Sequence, residues 1–178
     1  MMKGTVQKAG KAALGVILAC GVVFGLLYLD HAIGVRKSGL EEDIRSSQKI
    51  KEDWTVAGEA SGTLAAYISY PEDQSDHVFS LYVNRPGLSF GYFFRAGGSL
   101  GGVEEYIMEC TVEGYHERAF VSMNKPKVER LEVDGGNAKQ VIEIDSGRPF
   151  ALVLPVNAGE VTFFGADGTA VEFYRHQF

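Results

Sequence analysis

The chain has 178 residues, 46% of them hydrophobic, with seventeen Lys/Arg against twenty-three Asp/Glu and a net charge of −6. That balance excludes a nucleic-acid binder, because phosphate recognition needs clustered cations. Two cysteines, Cys20 and Cys110, are too few for a disulfide framework, and four scattered histidines lack zinc-ligand spacing.

Residues 1–11 form a basic tail with Lys3, Lys8 and Lys11 and no acid. From Ala12 to Leu29 no residue is charged. A helix over this run is roughly 27 Å long, close to the hydrocarbon thickness of a bilayer. Its backbone groups pair within the helix, as a membrane interior requires. A transmembrane helix is therefore expected over residues 12–33, acting as an uncleaved signal anchor. A cleaved signal would have an apolar stretch of only about 7–15 residues, ended by a small-residue site. Ile17-Leu18-Ala19-Cys20 has the outline of a lipidation site at Cys20, but apolar residues run on to Leu29 where such a chain turns polar. Gly21 and Gly25, four apart, would let two such helices approach and form a homodimer or pair with a protein partner. Arg36, Lys37, Arg45 and Lys49 nearly balance the positive charge of the N-terminal flank. The expected topology is nonetheless single-pass in the cell membrane with the C-terminal domain outside, since long domains translocate largely regardless of charge.

Residues 34–54 read as a juxtamembrane helix or stalk. Ser38 followed by Glu41 has the capping-box pattern, and Leu40 and Ile44 stand among charged residues too numerous for a packed face. Residues 55–178 are enough for one domain, since a domain of about 125 residues buries some two-thirds of its unfolded surface without metal or disulfide. This part holds nine Lys/Arg and seventeen Asp/Glu, a charge of 9 − 17 = −8. Such a surplus argues against anionic lipid or wall polymer as the main partner.

From Gly62 onward the period is two. Leu64–Tyr70, Phe79–Val83, Leu88–Phe94, Tyr106–Val112, Leu131–Val133, Val141–Ile144, Phe150–Leu154, Val161–Phe163 and Val171–Tyr174 alternate or run apolar. Between them stand turn residues such as Arg85-Pro86-Gly87, Asp134-Gly135-Gly136-Asn137, Asp145-Ser146-Gly147 and Ala166-Asp167-Gly168. Short strands with turns at this spacing predict an all-β domain, an antiparallel β-sandwich.

The segments Val128–Asp134, Gly147–Pro155 and Val161–Val171 together resemble the C-terminal part of uncharacterised small single-pass envelope proteins of Gram-positive bacteria. The likeness covers about a third of the chain and rests on strand-and-turn pattern. It implies an extracytoplasmic Ig-like β-domain behind an N-terminal anchor, and carries no catalytic or binding residues.

Two constellations bear on catalysis. Gly97-Gly98-Ser99-Leu100-Gly101 matches G-x-S-x-G, with Asp145, Asp167 and His176 downstream in hydrolase order. The motif works only as a strained strand-to-helix turn, and the following segment alternates like a strand. Cys110 with His77 and Arg118 is similar to the Cys/His/Arg set of sortases, but its neighbours Tyr106, Met108 and Val112 are apolar, the setting of a buried inert thiol. The acidic loop Pro71–Asp76 lacks calcium-loop spacing. Asp134, Asp145 and Asp167 each have a glycine within two positions, which is turn chemistry.

Tyr92, Phe93 and Phe94 are consecutive in a period-two strand, so one face sets aromatics away from the core unless both faces are covered. With Tyr67 nearby, an interaction patch at Tyr67, Tyr92 and Phe93 is expected. The sequence thus reads as a membrane-anchored, extracytoplasmic binding or interaction module, not an enzyme and with no cofactor. The alternatives are an accessory subunit of a larger membrane complex, or a small hydrolase or transpeptidase using Ser99 or Cys110.

Overall fold

The computed structural model of the chain describes residues 15–27, 33–85, 90–136 and 138–178; among them lie twelve strands in three four-stranded sheets. Sheet one is an antiparallel meander of β1 (Thr55–Ala60), β2 (Leu64–Tyr70), β3 (Val78–Asn84) and β4 (Tyr92–Gly98). Sheet two has the order β12-β5-β6-β9, from β5 (Ile107–Thr111), β6 (Glu117–Ser122), β9 (Phe150–Pro155) and β12 (Phe173–Gln177). Its pairs are antiparallel except β12 with β5, which run parallel. Sheet three, in the order β11-β10-β7-β8, contains β7 (Val128–Asp134), β8 (Lys139–Glu143), β10 (Glu160–Gly165) and β11 (Ala170–Val171). The fold is all-β, as the turn spacing predicts. Sheets one and two pack as a sandwich, and sheet three adds a layer that a two-sheet Ig-like arrangement lacks.

Sheet two lies in the middle because its strands are apolar on both faces. Met108, Cys110, Ala119, Val121, Ala151 and Val153 meet Leu64, Ala66, Ile68, Phe79 and Leu81 of sheet one. The alternate residues Ile107, Phe120 and Phe150 meet Val128, Leu131, Val133, Val161 and Phe163 of sheet three. Phe120 and Phe163 sit edge-on, 5.1 Å between ring centres, the arrangement their quadrupoles favour. The chain turns from sheet two to sheet three at Asn124, whose φ of +54° suits asparagine better than most side chains. Its buried amide accepts from Val128 N (2.7 Å) and donates to the Asp145 carbonyl (3.0 Å), so the corner leaves no polar atom of that side chain orphaned.

The outer face of sheet one is covered as well, which corrects the reading of residues 34–54 as a solvated stalk. Helix α1 (Leu40–Ser47) puts Leu40 and Ile44, one turn apart, onto Ala60, Ala65, Tyr82 and Tyr92, with Ile50, Trp54 and Val35 beside them. Two apolar residues at i and i+4 suffice here because the sheet supplies the other half of the contact. The Tyr82 hydroxyl donates to Asp43 at 2.7 Å and clips the helix to the sheet. The capping box does not form. Lys37–Gly39 is a 3-10 turn, the N-cap position is Gly39 with no side-chain cap bond, and Glu41 instead pairs with Arg45 at 2.8 Å. Strands β1 and β6 also escape the predicted series.

Residues 15–27 are helical. No helix among the described residues is long and apolar enough to cross a membrane. Residues 12–14 and 28–32 of the expected span, the sites Pro86 and Gly87 of one expected turn, and Asn137 of another lie outside the described residues. The aspartates at the other turns behave as predicted: Asp134, Asp145 and Asp167 each accept an amide two residues on, at 2.9 Å.

The docking of α1 is testable. Ile44 is fully buried, so Ile44→Ala should lower unfolding free energy by about 2–5 kcal/mol in urea titration. Glu41→Ala, which removes only an exposed i,i+4 pair, should cost no more than about 0.5 kcal/mol.

Candidate functional site

The edge of sheet one where the chain enters the domain is built by close backbone approach. Val35 and Tyr92 exchange N–H···O bonds at 2.8 and 2.7 Å, and Gly34 N donates to the Phe90 carbonyl at 2.5 Å. A Cβ on Gly34 would stand 2.5 Å from the Tyr92 carbonyl oxygen, and one on Gly91 (φ +95°) 2.6 Å from that of Val35. Glycine at both positions is what lets the strands touch. Past this tie, β4 is an open edge.

The aromatics divide there in a way that period two does not reveal. Tyr92 is only 6% exposed, packed under Val35 and α1, with its hydroxyl donating to the Ser61 carbonyl. Tyr67 is half-buried in the same cluster, and burial pushes both phenols up. Phe93 is partly covered by the Arg85 guanidinium, 4.3 Å from its ring centre. The expected patch at Tyr67, Tyr92 and Phe93 is thus largely spent on packing, because sheet one is covered on both faces. The aromatics that do reach solvent are Phe90 (59% exposed) and Phe94 (47%), with Phe94 edge-on to Tyr82 at 5.6 Å. Arg95 is exposed beside them. It is the extra residue of a bulge that pairs Tyr82 with Phe94 and Leu81 with Ala96. Arg36, also exposed, follows Val35 directly. One sequence signal points to this edge: neither His31–Leu40 nor His77–Val103 contains an acid, in a domain otherwise rich in them.

Ser99 gains partners different from those the sequence offered. Its Oγ lies 3.4 Å from His77 Nε2, and Nδ1 of that ring lies 3.9 Å from Glu104. Asp145 and Asp167 serve their own turns, and the His176 ring packs against Phe178 at a tilt. The arrangement has a serine–histidine–carboxylate outline, but Nε2 already accepts the Leu100 amide at 2.9 Å, and Ser99 Oγ accepts that of Gly101 at 3.1 Å. The nitrogen that would take a serine proton is occupied, and the Leu100 and Gly101 amides are engaged by His77 and Ser99. Burial lowers the His77 pKa, with Glu104 and Asp76 opposing. His77 pins the glycine loop.

Cys110, His77 and Arg118 do not form a catalytic set. Cys110 is fully buried between sheets one and two, and burial, aided by Glu109, pushes its thiol up to about 12. Arg118 points to the opposite face of sheet two. There Glu109, 3% exposed, binds Arg118 Nη1 at 3.0 Å and Arg175 Nε at 2.8 Å, while Arg118 Nη2 donates to the Gly159 carbonyl at 3.0 Å. This carboxylate ties β5, β6 and β12 together.

At the far end of sheet one, a cleft of about 450 Å³ is lined by Asp53, Tyr70, Glu72, Gln74 and Arg148. In the adjoining Pro71–Asp76 loop, Asp73 accepts from Ser75 as in an ordinary turn. No group of three His, Cys, Asp or Glu among the described residues is placed to hold a metal ion. Family models gave no match to this chain, and neither curated proteins nor solved structures gave a significant one.

Native protein should leave Cys110 unmodified by iodoacetamide at pH 8 and react there only after denaturation; rapid native labelling would revive a nucleophilic role. A second expectation concerns pH. Because the unfolded histidine binds a proton near its ordinary value of about 6.5 and buried His77 does so only lower, stability should fall as pH drops below that value. Urea midpoints measured across this range should lose part of that slope in His77→Gln.

Proposed function

We propose that the protein is a membrane-tethered interaction module: an apolar N-terminal anchor over residues 12–29, short of the expected bound because Ile33 bridges to Phe90 in the domain, holding a β-domain outside the membrane. The observation that carries this reading is the helix at residues 15–27. Val16, Ile17, Leu18, Val22, Val23, Phe24 and Leu26 are each more than half exposed, and at 100° per residue they point in every direction around the axis. A helix apolar all round belongs in a protein core or a bilayer, and none of the described residues packs a core around this one. A Cβ added at Gly21 or Gly25 would meet nothing within 4 Å, so this backbone is open to a second helix, which favours a homodimer or an accessory role in a membrane complex.

An interaction role fits the domain better than catalysis, because the hydroxyl, thiol and imidazole the sequence offered are all engaged in packing or loop bonds. The exposed aromatics and arginines at the β4 edge are one surface open for contact. The resemblance to Gram-positive envelope proteins agrees with this placement.

Topology is checked with Glu72→Cys in a Cys20→Ser background, since Glu72 is exposed at the far end of sheet one and Cys110 is shielded. Intact cells treated with an impermeant maleimide should label position 72 as fully as lysed cells, and carbonate washing should leave the chain in the membrane. Labelling only after lysis, or release into the supernatant, would overturn the reading.

A further inference from the structure

We propose that the β4 edge of sheet one lies against the surface of the bilayer that anchors the chain, with Phe90 and Phe94 at the interface and Arg36 and Arg95 on anionic headgroups. The inference rests on the anchor reading and names the partner of the surface described above.

Chain length is the first argument. Six peptide steps separate Leu27 from Ile33, a reach of roughly 20 Å at full extension. Ile33 and Val35 are bridged to Phe90 and Tyr92, so this end of the sheet cannot stray far from the membrane. The register gives the direction: Ala60, Leu64, Asn84 and Tyr92 share the near end, while Thr55, Tyr70, Val78 and Gly98 share the far one.

Charge is the second. The domain carries −8, which disfavours anionic lipid as a general partner, yet the acids are unevenly placed. The segments that meet at the near end, His31–Leu40 and the Leu81–Arg95 stretch of the sequence, hold Arg36, Lys37, Arg85 and Arg95 and no acid, and the carboxylates close to them are engaged: Glu117 by Ser61 and Thr63, Glu59 by the Val153 amide and Glu41 by Arg45. Lys37 is committed to the Ala60 carbonyl at 2.5 Å and Arg85 lies over Phe93, so Arg36 and Arg95 are the cations assigned to headgroups. The far end carries the acidic Pro71–Asp76 loop, which would be repelled by the same surface. Two exposed phenylalanines flanked by arginines match the composition of interfacial membrane contacts, where an apolar ring enters and a cation meets phosphate.

The test uses the full chain reconstituted in vesicles of phosphatidylcholine with phosphatidylglycerol, or phosphatidylcholine alone, carrying lipids brominated near the headgroup. Trp54 at the far end is the native internal control and should keep its emission. In a Trp54→Phe background, Phe90→Trp and Phe94→Trp should each lose most of their emission in the anionic vesicles and much less in phosphatidylcholine. Adding Arg36→Glu and Arg95→Glu should restore it. Phe24→Trp reports the anchor with acyl-chain bromine. If it is quenched while positions 90 and 94 are not, or are quenched equally in both vesicles, the surface contact is overturned and the anchor stands. If Phe24→Trp is unquenched, both fall together.

Discussion

Burial of sheet two on both faces is the constraint from which the layering follows. A strand such as β6, with Ala119 and Val121 on one side and Phe120 on the other all fully buried, cannot face water anywhere along its middle. Two further sheets must therefore exist to cover it, and each brings a second face of its own. Sheet three ends the stack by being polar outside, where Glu132 takes Arg130 and Lys139, and Arg130 lies over Phe164. Sheet one stays apolar outside and needs α1. The four layers are thus a chain of obligations that begins with one doubly apolar sheet.

The two ends of sheet one differ in chemistry, and that asymmetry gives the domain a direction. Near the entry point the backbone is tied by glycines, the Ser61–Thr63 turn is closed by the Glu117 carboxylate, and aromatics and arginines come to the surface. Hydrogen bonds from Ser61, Thr63 and the local amides hold Glu117 below the usual carboxylate range against the upward push of burial. At the opposite end lie Asp53, Glu72, Asp73 and Asp76, solvated and turn-forming. The near end thus brings arginines and aromatic rings to the surface where the far end brings carboxylates.

Much of the strand series is legible because period two survives wherever one face is less buried, as in β7 and β10. It fails at β6, whose Glu117-Arg118-Ala119-Phe120-Val121-Ser122 has no polarity alternation once both faces are covered. The number of layers is invisible for the same reason: alternation tells which side a residue faces and not what lies there. Leu40 and Ile44 are too few to announce a packed helix, and only the sheet beneath them makes them core. Among the aromatics, Tyr92 and Phe94 share a parity, so no periodic rule separates the one covered by Val35 and α1 from the one beyond their reach. Ser99 and His77 lie 22 residues apart, and their contact depends on the fold bringing the start of β3 beside the end of β4. What the sequence did offer at the β4 edge was a compositional hint, the acid-free stretches, which periodicity does not weigh.

The parallel seating of β12 on β5 joins parts of the chain far apart in sequence. Glu109 and Arg175 are 66 residues apart in sequence, yet an exposed guanidinium reaches a buried carboxylate at the border of the middle sheet. Until that last strand arrives, a carboxylate facing the second core has Arg118 alone, and closing sheet three over it would trap charge without its full complement of donors. A contact of such long sequence separation carries a large loop-closure cost, so removing Arg175 would leave Glu109 with Arg118 alone while shortening no other connection of the fold.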